Sequence, residues 1–278
     1  MKKIFITFLG FISIWSGISA QETVKSSGHL AVGIEVGTTG FGLELATPLS
    51  SNFDLRGGVS LFPTYSYDDN FKVNLTESFK KQFNDAINND NPPGLASALE
   101  QQGIKSAEDI NTNIKATASL DFINGKILLD YYPSAKYAFH ITGGVYIGRS
   151  DLVKVTGKMD QAVKLLDQLP SNYSDMPLFT NEEKAYELTG NDIRNMHGAL
   201  RVNSVKPYLG IGFGRAIPRS RVGVSFEIGA FYQGTPKFAG NSNNVQDLID
   251  TELTGVTEVI KQFPIFPVIS LKLNVRIF

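Results

Sequence analysis

Val205-Lys206-Pro207-Tyr208-Leu209-Gly210-Ile211-Gly212-Phe213-Gly214 decides how the rest of the chain reads. Val205, Leu209, Ile211 and Phe213 share one parity, and Lys206, Tyr208, Gly210, Gly212 and Gly214 the other. A period of two is the mark of a strand with one apolar face. Ile217-Pro218-Arg219-Ser220 turns the chain. Val222, Val224, Phe226, Ile228 and Ala230 then alternate with Arg221, Gly223, Ser225, Glu227 and Gly229. The second face is the informative one. A strand face in water carries many Lys, Thr, Glu and Ser, whereas this one is glycine with isolated charges. Small residues suit the crowded interior of a narrow barrel. The other face is nearly free of charge, as hydrocarbon demands, because a charge at the bilayer midplane costs about 2–4 kcal/mol.

Working outward, the same pattern recurs. Leu30, Val32, Ile34 and Val36 oppose Ala31, Gly33 and Glu35, and Phe41, Leu43 and Leu45 oppose Gly42, Glu44 and Ala46. Gly37-Thr38-Thr39-Gly40 joins these two strands as a hairpin. Phe53, Leu55, Val59 and Leu61 form a third apolar row. Tyr137, Phe139, Ile141, Val145 and Ile147 form a later one, and Ile269 to Ile277 the last. Strand character also runs from Ile114 to Tyr132, where the apolar parity changes across Asn124-Gly125. That dipeptide reads either as a hairpin turn or as a bulge at Gly125 within one long strand. The bulge keeps the count even, at eight strands.

Three connections are short and begin with Pro: Pro48-Leu49-Ser50-Ser51-Asn52, Pro133-Ser134-Ala135-Lys136 and Pro218-Arg219-Ser220-Arg221. Between them fall long excursions at about 68–113, 157–199 and 237–263. Short and long connections alternate, so the short turns collect at one end of an up-and-down sheet. The predicted fold is therefore all-β: an eight-stranded antiparallel transmembrane β-barrel with short periplasmic turns and long extracellular loops. The excursions read as polar and partly helical, with helices near Ser78–Ile87, Leu95–Gln102, Met159–Gln168 and Val245–Lys261. Their apolar faces either pack together as a cap or dock a partner.

The first twenty residues differ from the rest. Lys2 and Lys3 precede a mostly apolar run from Ile4 to Ile14, and Ser16-Gly17-Ile18-Ser19-Ala20 is a small-residue exit. This predicts a signal peptide, residues 1–20, cleaved near Ala20. One barrel domain, residues 21–278, follows. With 26 Lys+Arg against 27 Asp+Glu, nothing points to nucleic acid as a partner. Cysteine is absent, so no disulfide holds this exported chain.

Several segments resemble an uncharacterised family of outer-membrane β-barrel proteins of Gram-negative bacteria, with the small OmpA/OmpX-type architecture. They are Val205 to Gly214, Val222 to Gly229, Phe231-Tyr232-Gln233-Gly234-Thr235-Pro236-Lys237, Leu128-Leu129-Asp130-Tyr131-Tyr132-Pro133 and Phe266-Pro267-Val268 to Phe278. The resemblance touches most strands and few loop residues. It implies fold and location, brings no catalytic residues, and supports reading Ala118 to Tyr132 as one strand. Outer-membrane barrels commonly end in Phe, which the assembly machinery reads. Phe278 fits that end signal, although the apolar row at Leu273, Val275 and Ile277 sits one step off it.

The inward parity gathers Glu35, Glu44, Asp130 and Glu227 against Arg56, Lys206, Arg221, Lys272 and Arg276, with His140 nearby. Charges inside so narrow a barrel are expected to pair and plug it. The expected function is a structural or surface-binding barrel, with a narrow channel for ions or small solutes as the alternative. A lipid-modifying enzyme is a third class. Of the three histidines only His197 lies in a long loop, near Asp192 and Asn195, with no defined Ser partner. No metal cluster or cofactor motif is apparent. Expected partners are outer-membrane lipids, the barrel-assembly machinery, and an extracellular ligand or protein at the loops.

Overall fold

The computed structural model describes residues 29–181, 183 and 185–277. The expected leader and Phe278 lie outside the described residues. From the N-terminal side, β1 (Ala31–Gly37) turns at Thr38-Thr39 into β2 (Gly40–Pro48) and then β3 (Phe53–Leu61). The chain leaves the barrel through β4 (Tyr65–Lys72), β5 (Asn74–Leu75), α1 (Glu77–Asn88), α2 (Leu95–Glu100) and β6 (Asn113–Leu120). It returns as β7 (Ile123–Tyr131) and β8 (Phe139–Gly148). A second excursion holds β9 (Asp151–Lys158), α3 (Asp160–Leu166), β10 (Pro177–Thr180), β11 (Glu187–Thr189), α4 (Gly190–Arg194) and β12 (Met196–Arg201). After β13 (Val205–Phe213) and β14 (Val222–Tyr232) come β15 (Lys237–Gly240), α5 (Asn243–Glu252), α6 (Thr254–Ile260) and the closing β16 (Ile265–Arg276).

Eight strands close in the order β1-β16-β14-β13-β8-β7-β3-β2, all antiparallel. Closure pairs β1 with β16, Ala31 opposite Arg276 and Gly37 opposite Ser270, so no wall edge is left unpaired. The apolar rows point outward: Leu209, Ile211 and Phe213 are exposed, as are Ile34, Leu43, Ile127, Ile228 and Leu273. Inward positions are small where strands and side chains crowd. A Cβ on Gly144 would stand 2.2 Å from the carbonyl oxygen of Ile127 and 2.8 Å from the Cα of Leu128, which only glycine avoids.

Three expectations need correction. At Asn124-Gly125 there is neither a hairpin nor a bulge. Val59 pairs with Gly125 and Ser60 with Asn124 on one side, Gly125 with Ile147 on the other, without a register shift. The parity change has another cause. Ile114, Phe122, Asn124, Lys126 and Asp130 are all buried, so the inner face keeps its parity throughout. What changes is the surroundings. In β6 the inner residues meet an apolar core and Lys115 meets water. In β7 the inner residues meet a polar lumen, and Ile123, Ile127 and Leu129 are exposed on an apolar wall.

Second, the excursions are richer in strand than their polar composition suggested. β4, β6, β9, β12 and β15 form a second sheet in the order β15-β12-β9-β6-β4. This repeats the order of the barrel strands β14, β13, β8, β7 and β3 that precede or follow them. One side of the barrel wall therefore continues past the rim. A three-stranded sheet, β11-β10-β5, and the helices pack against that extension. Their core includes Phe79, Phe83, Leu99, Ile104, Ile114, Leu178, Leu188 and Ile249. Thr76 ties the layers together: its hydroxyl caps α1 by accepting from the Phe79 N–H at 3.2 Å and donates to the Pro177 carbonyl at 2.8 Å. Third, the helix expected over Val245–Lys261 is two helices, broken at Leu253 (φ −107°, ψ 15°) just before Thr254-Gly255, a poor helix-forming pair.

Asp192 pins this cap. It is buried and accepts from the Thr189 N–H (2.9 Å) and hydroxyl (2.7 Å), the Ser242 hydroxyl (2.5 Å) and the Asn244 amide (2.7 Å). Burial by itself would raise its carboxyl, but the hydrogen bonds from Ser242, Asn244 and Thr189 outweigh that and hold it below the usual aspartate value. A depressed carboxyl stabilises the fold fully above the unfolded value of about 3.9 and loses that contribution as pH falls toward the folded one. Limited proteolysis of the cap should accordingly accelerate below about pH 4. In Asp192→Asn that acid-dependent component should shrink, with faster cleavage already at neutral pH. An unchanged pH profile in the variant would show that Asp192 is not the pin.

Candidate functional site

The barrel interior is built in three layers. The middle one is charged. Glu35, Glu44, Arg56, Lys126, Asp130, Glu227 and Lys272 come from β1, β2, β3, β7, β14 and β16, and each is under 5% exposed. Arg56 lies at the centre. Its Nη1 is 3.0 Å from Glu44, its Nε 2.7 Å from Asp130 and its Nη2 2.6 Å from Glu227. Lys126 pairs with Glu35 at 2.5 Å and also with Glu44. Lys272 stands 2.8 Å from Glu227, 3.4 Å from Glu44 and 3.7 Å from Glu35. Neutral donors complete the layer: the Tyr208 hydroxyl donates to Glu227 at 2.6 Å and Thr142 to Asp130 at 2.7 Å. Such a layer is tolerable in a low-dielectric interior only because each charge faces an opposite one.

Toward the cap lies an aromatic layer of Phe122, Tyr146, Tyr208, Phe231 and Phe266. Phe231 stacks on Phe266 at 4.9 Å, and Tyr146 meets Phe231 and Tyr208 at 5.3 Å each. Lys206 belongs here and not to the carboxylate cluster. Its Nζ donates to Asn124 at 2.8 Å and lies 5.7 Å from the rings of Phe122 and Phe231. At the opposite end the turn between β13 and β14 folds inward. Ala216 and Ile217 pack on the inner residues Ala31 and Ala46. The Ala216 N–H donates to the Tyr132 hydroxyl at 3.2 Å, and the Arg215 guanidinium covers the Tyr132 ring at 4.6 Å.

Of the charges read from the sequence, Glu35, Glu44, Arg56, Asp130, Glu227 and Lys272 are brought together. His140 borders them, its Nε2 at 3.8 Å from Glu227 and its ring 5.2 Å from Tyr132. Arg221 and Arg276 are not in the layer. Arg221 is exposed and Arg276 half-buried at the turn end, where the Arg276 N–H donates to the Arg221 carbonyl at 2.9 Å. Alternation put them on the inner parity, but they lie beyond the last ring of inward residues. Lys126 was missed, although it shares its parity with Asp130. That shared parity is the signal that would have found it.

Asp130, His140 and Glu227 present ligand atoms within 4.8 Å of one another, a spacing that a metal ion could use. Here Asp130 and Glu227 are already engaged by the Arg56 guanidinium. His197 lies on the exposed face of β12, opposite Thr156, and Asp192 is committed to Thr189, Ser242 and Asn244. The loop residues near His197 in sequence are thus not assembled around it.

No known family's profile matches the sequence, and no curated protein matches it either. Among solved structures, the chain is similar to Acinetobacter baumannii CarO2, at 18% identity, over 89% of this chain and 98% of that one, with a TM-score of 0.41. It is similar to Acinetobacter baumannii CarO at 15% identity, over 91% and 99%, with a TM-score of 0.41. The eight-stranded closed barrel itself follows from the strand pairing of this chain.

Proposed function

We propose that this protein is an outer-membrane β-barrel with a closed lumen, acting as a structural or surface-binding protein through its cap. A leader cleaved near Ala20 exports it, the short turns lie in the periplasm and the cap faces the outside. One observation carries the reading: the same strands expose an uninterrupted apolar wall and enclose a layer in which each charge touches an opposite one. The wall suits hydrocarbon, where only a closed barrel satisfies every strand group. The paired charges, the aromatic layer above and the inturned loop below leave the interior to side chains, as eight strands generally do.

Contact with other molecules then falls to the cap. It offers a polar groove of about 730 Å³ whose lining includes Lys72, Asn74, Lys80, Glu108, Asn113 and Asn181. Lipids of the outer membrane surround the wall, and the assembly machinery inserts it, with Phe278 as the end signal.

Purified protein in a planar bilayer is expected to show no steady conductance. Steady large currents would overturn the closed lumen and favour a narrow channel. In that case charge reversal at Arg56 or Glu227 would alter ion selectivity, because both stand in the only charged layer found among the described residues of the lumen.

A further inference from the structure

The helix α6 (Thr254–Ile260) has no buried residue. Val256, Val259 and Phe263, just past its end, are 49%, 56% and 59% exposed. Val256, Val259 and Ile260, at i, i+3 and i+4, share one face of α6, and Phe263 follows in the turn that leaves it. Glu258 and Lys261 lie off that face and pair with each other at 3.2 Å, so the polar side is locally neutral. An apolar stripe without a protein partner is costly in water.

Its position indicates what covers it. The Gln233 side chain donates to the Phe263 carbonyl at 3.1 Å, and the Gln233 N–H donates to the Pro264 carbonyl at 2.9 Å. Both bonds tie the end of α6 to the cap-end rim of β14. Ile265, the first residue of β16, is 56% exposed and pairs with Tyr232, the last of β14 and 50% exposed. The exposed apolar residues of the barrel exterior thus continue from Ile228 through Tyr232 and Ile265 to Phe263, next to α6.

We propose that α6 is an interfacial helix that lays Val256, Val259 and Phe263 against the lipid surface beside the barrel. The inference rests on the membrane reading above. An amphipathic helix at a rim shares its apolar layer with the acyl boundary and presents its polar side to the headgroups and water. It would fix the β14–β16 corner of the cap at a defined height above the bilayer.

The only tryptophan in the sequence, Trp15, lies in the proposed leader, so in the protein without residues 1–20 engineered tryptophans are single reporters. Val259→Trp tests the helix, Ile211→Trp the barrel wall, and Glu108→Trp the water-facing cap. Each is folded into phosphatidylcholine vesicles with and without bromine on the acyl chains. Val259→Trp should emit at shorter wavelength than Glu108→Trp and lose emission to brominated lipid by a fraction comparable to Ile211→Trp. Quenching of Ile211→Trp alone, with Val259→Trp open to aqueous iodide, would overturn the interfacial helix and leave the membrane barrel standing. Val259→Trp shielded from both quenchers would mean a protein partner, such as a second copy, and would also overturn it. Loss of lipid quenching at Ile211→Trp as well would remove the membrane reading itself. Folding is checked by gel mobility without heating, and Val256→Trp replaces Val259→Trp should the latter fail to fold.

Discussion

Arg56→Met is expected to destabilise the barrel by about 3–5 kcal/mol, the cost of breaking a buried ion pair from one side. The arginine faces Glu44, Asp130 and Glu227 at 2.6–3.0 Å, and all of them are almost without exposure. Removing the guanidinium leaves Glu44 and Glu227 to share Lys126 and Lys272 with Glu35. Asp130, which pairs with neither lysine, keeps the Thr142 hydroxyl as its hydrogen-bond donor. Methionine keeps most of the volume, so the loss is electrostatic and not a cavity. Arg56→Lys should fall between, since an ammonium cannot reach three carboxylates as the planar fork does. Adding Asp130→Asn and Glu227→Gln to Arg56→Met should recover much of the loss. The measurement is urea unfolding in phospholipid vesicles. An unchanged midpoint for Arg56→Met would mean that the charge layer does not hold the barrel together. The same variant in a planar bilayer is the best candidate for a leak.

Ile228→Arg is expected to cost about 2–4 kcal/mol in a bilayer, the penalty for an arginine near the midplane of a barrel wall. Ile228 sits near the middle of β14, pairs with Ile211 and Ile269, and is exposed on the apolar wall. Thr156→Arg, on the exposed face of β9 in the cap, should change stability little. A wall in water would reverse the expectation, because arginine on a solvated strand is nearly neutral. Equal, small effects at both positions would therefore remove hydrocarbon as the surroundings of the wall.

The two variants probe opposite faces of the same strands, and the sequence was informative about these faces to different degrees. Alternation alone determined the barrel. Leu209, Ile211 and Phe213 against Gly210 and Gly212 carry both the period of two and a small-residue inner face, and local sterics suffice to read them. It also brought six of the seven charges of the middle layer to one parity. Only the tertiary structure decided where a parity changes its meaning. Ile114 and Lys126 face the same way, yet one enters an apolar core and the other a polar lumen, because the chain crosses the rim between β6 and β7. A one-dimensional pattern records alternation but not the medium on either side, which is why a bulge was inferred at Gly125. The same limit applied to Arg221 and Arg276, whose parity was inward but whose height was past the lumen's end. The cap strands were obscured for a related reason. Their pairing is with segments far along the chain, Lys115 with Lys158 and Gly198 with Gly240, and such partners are chosen by the closed wall beneath them.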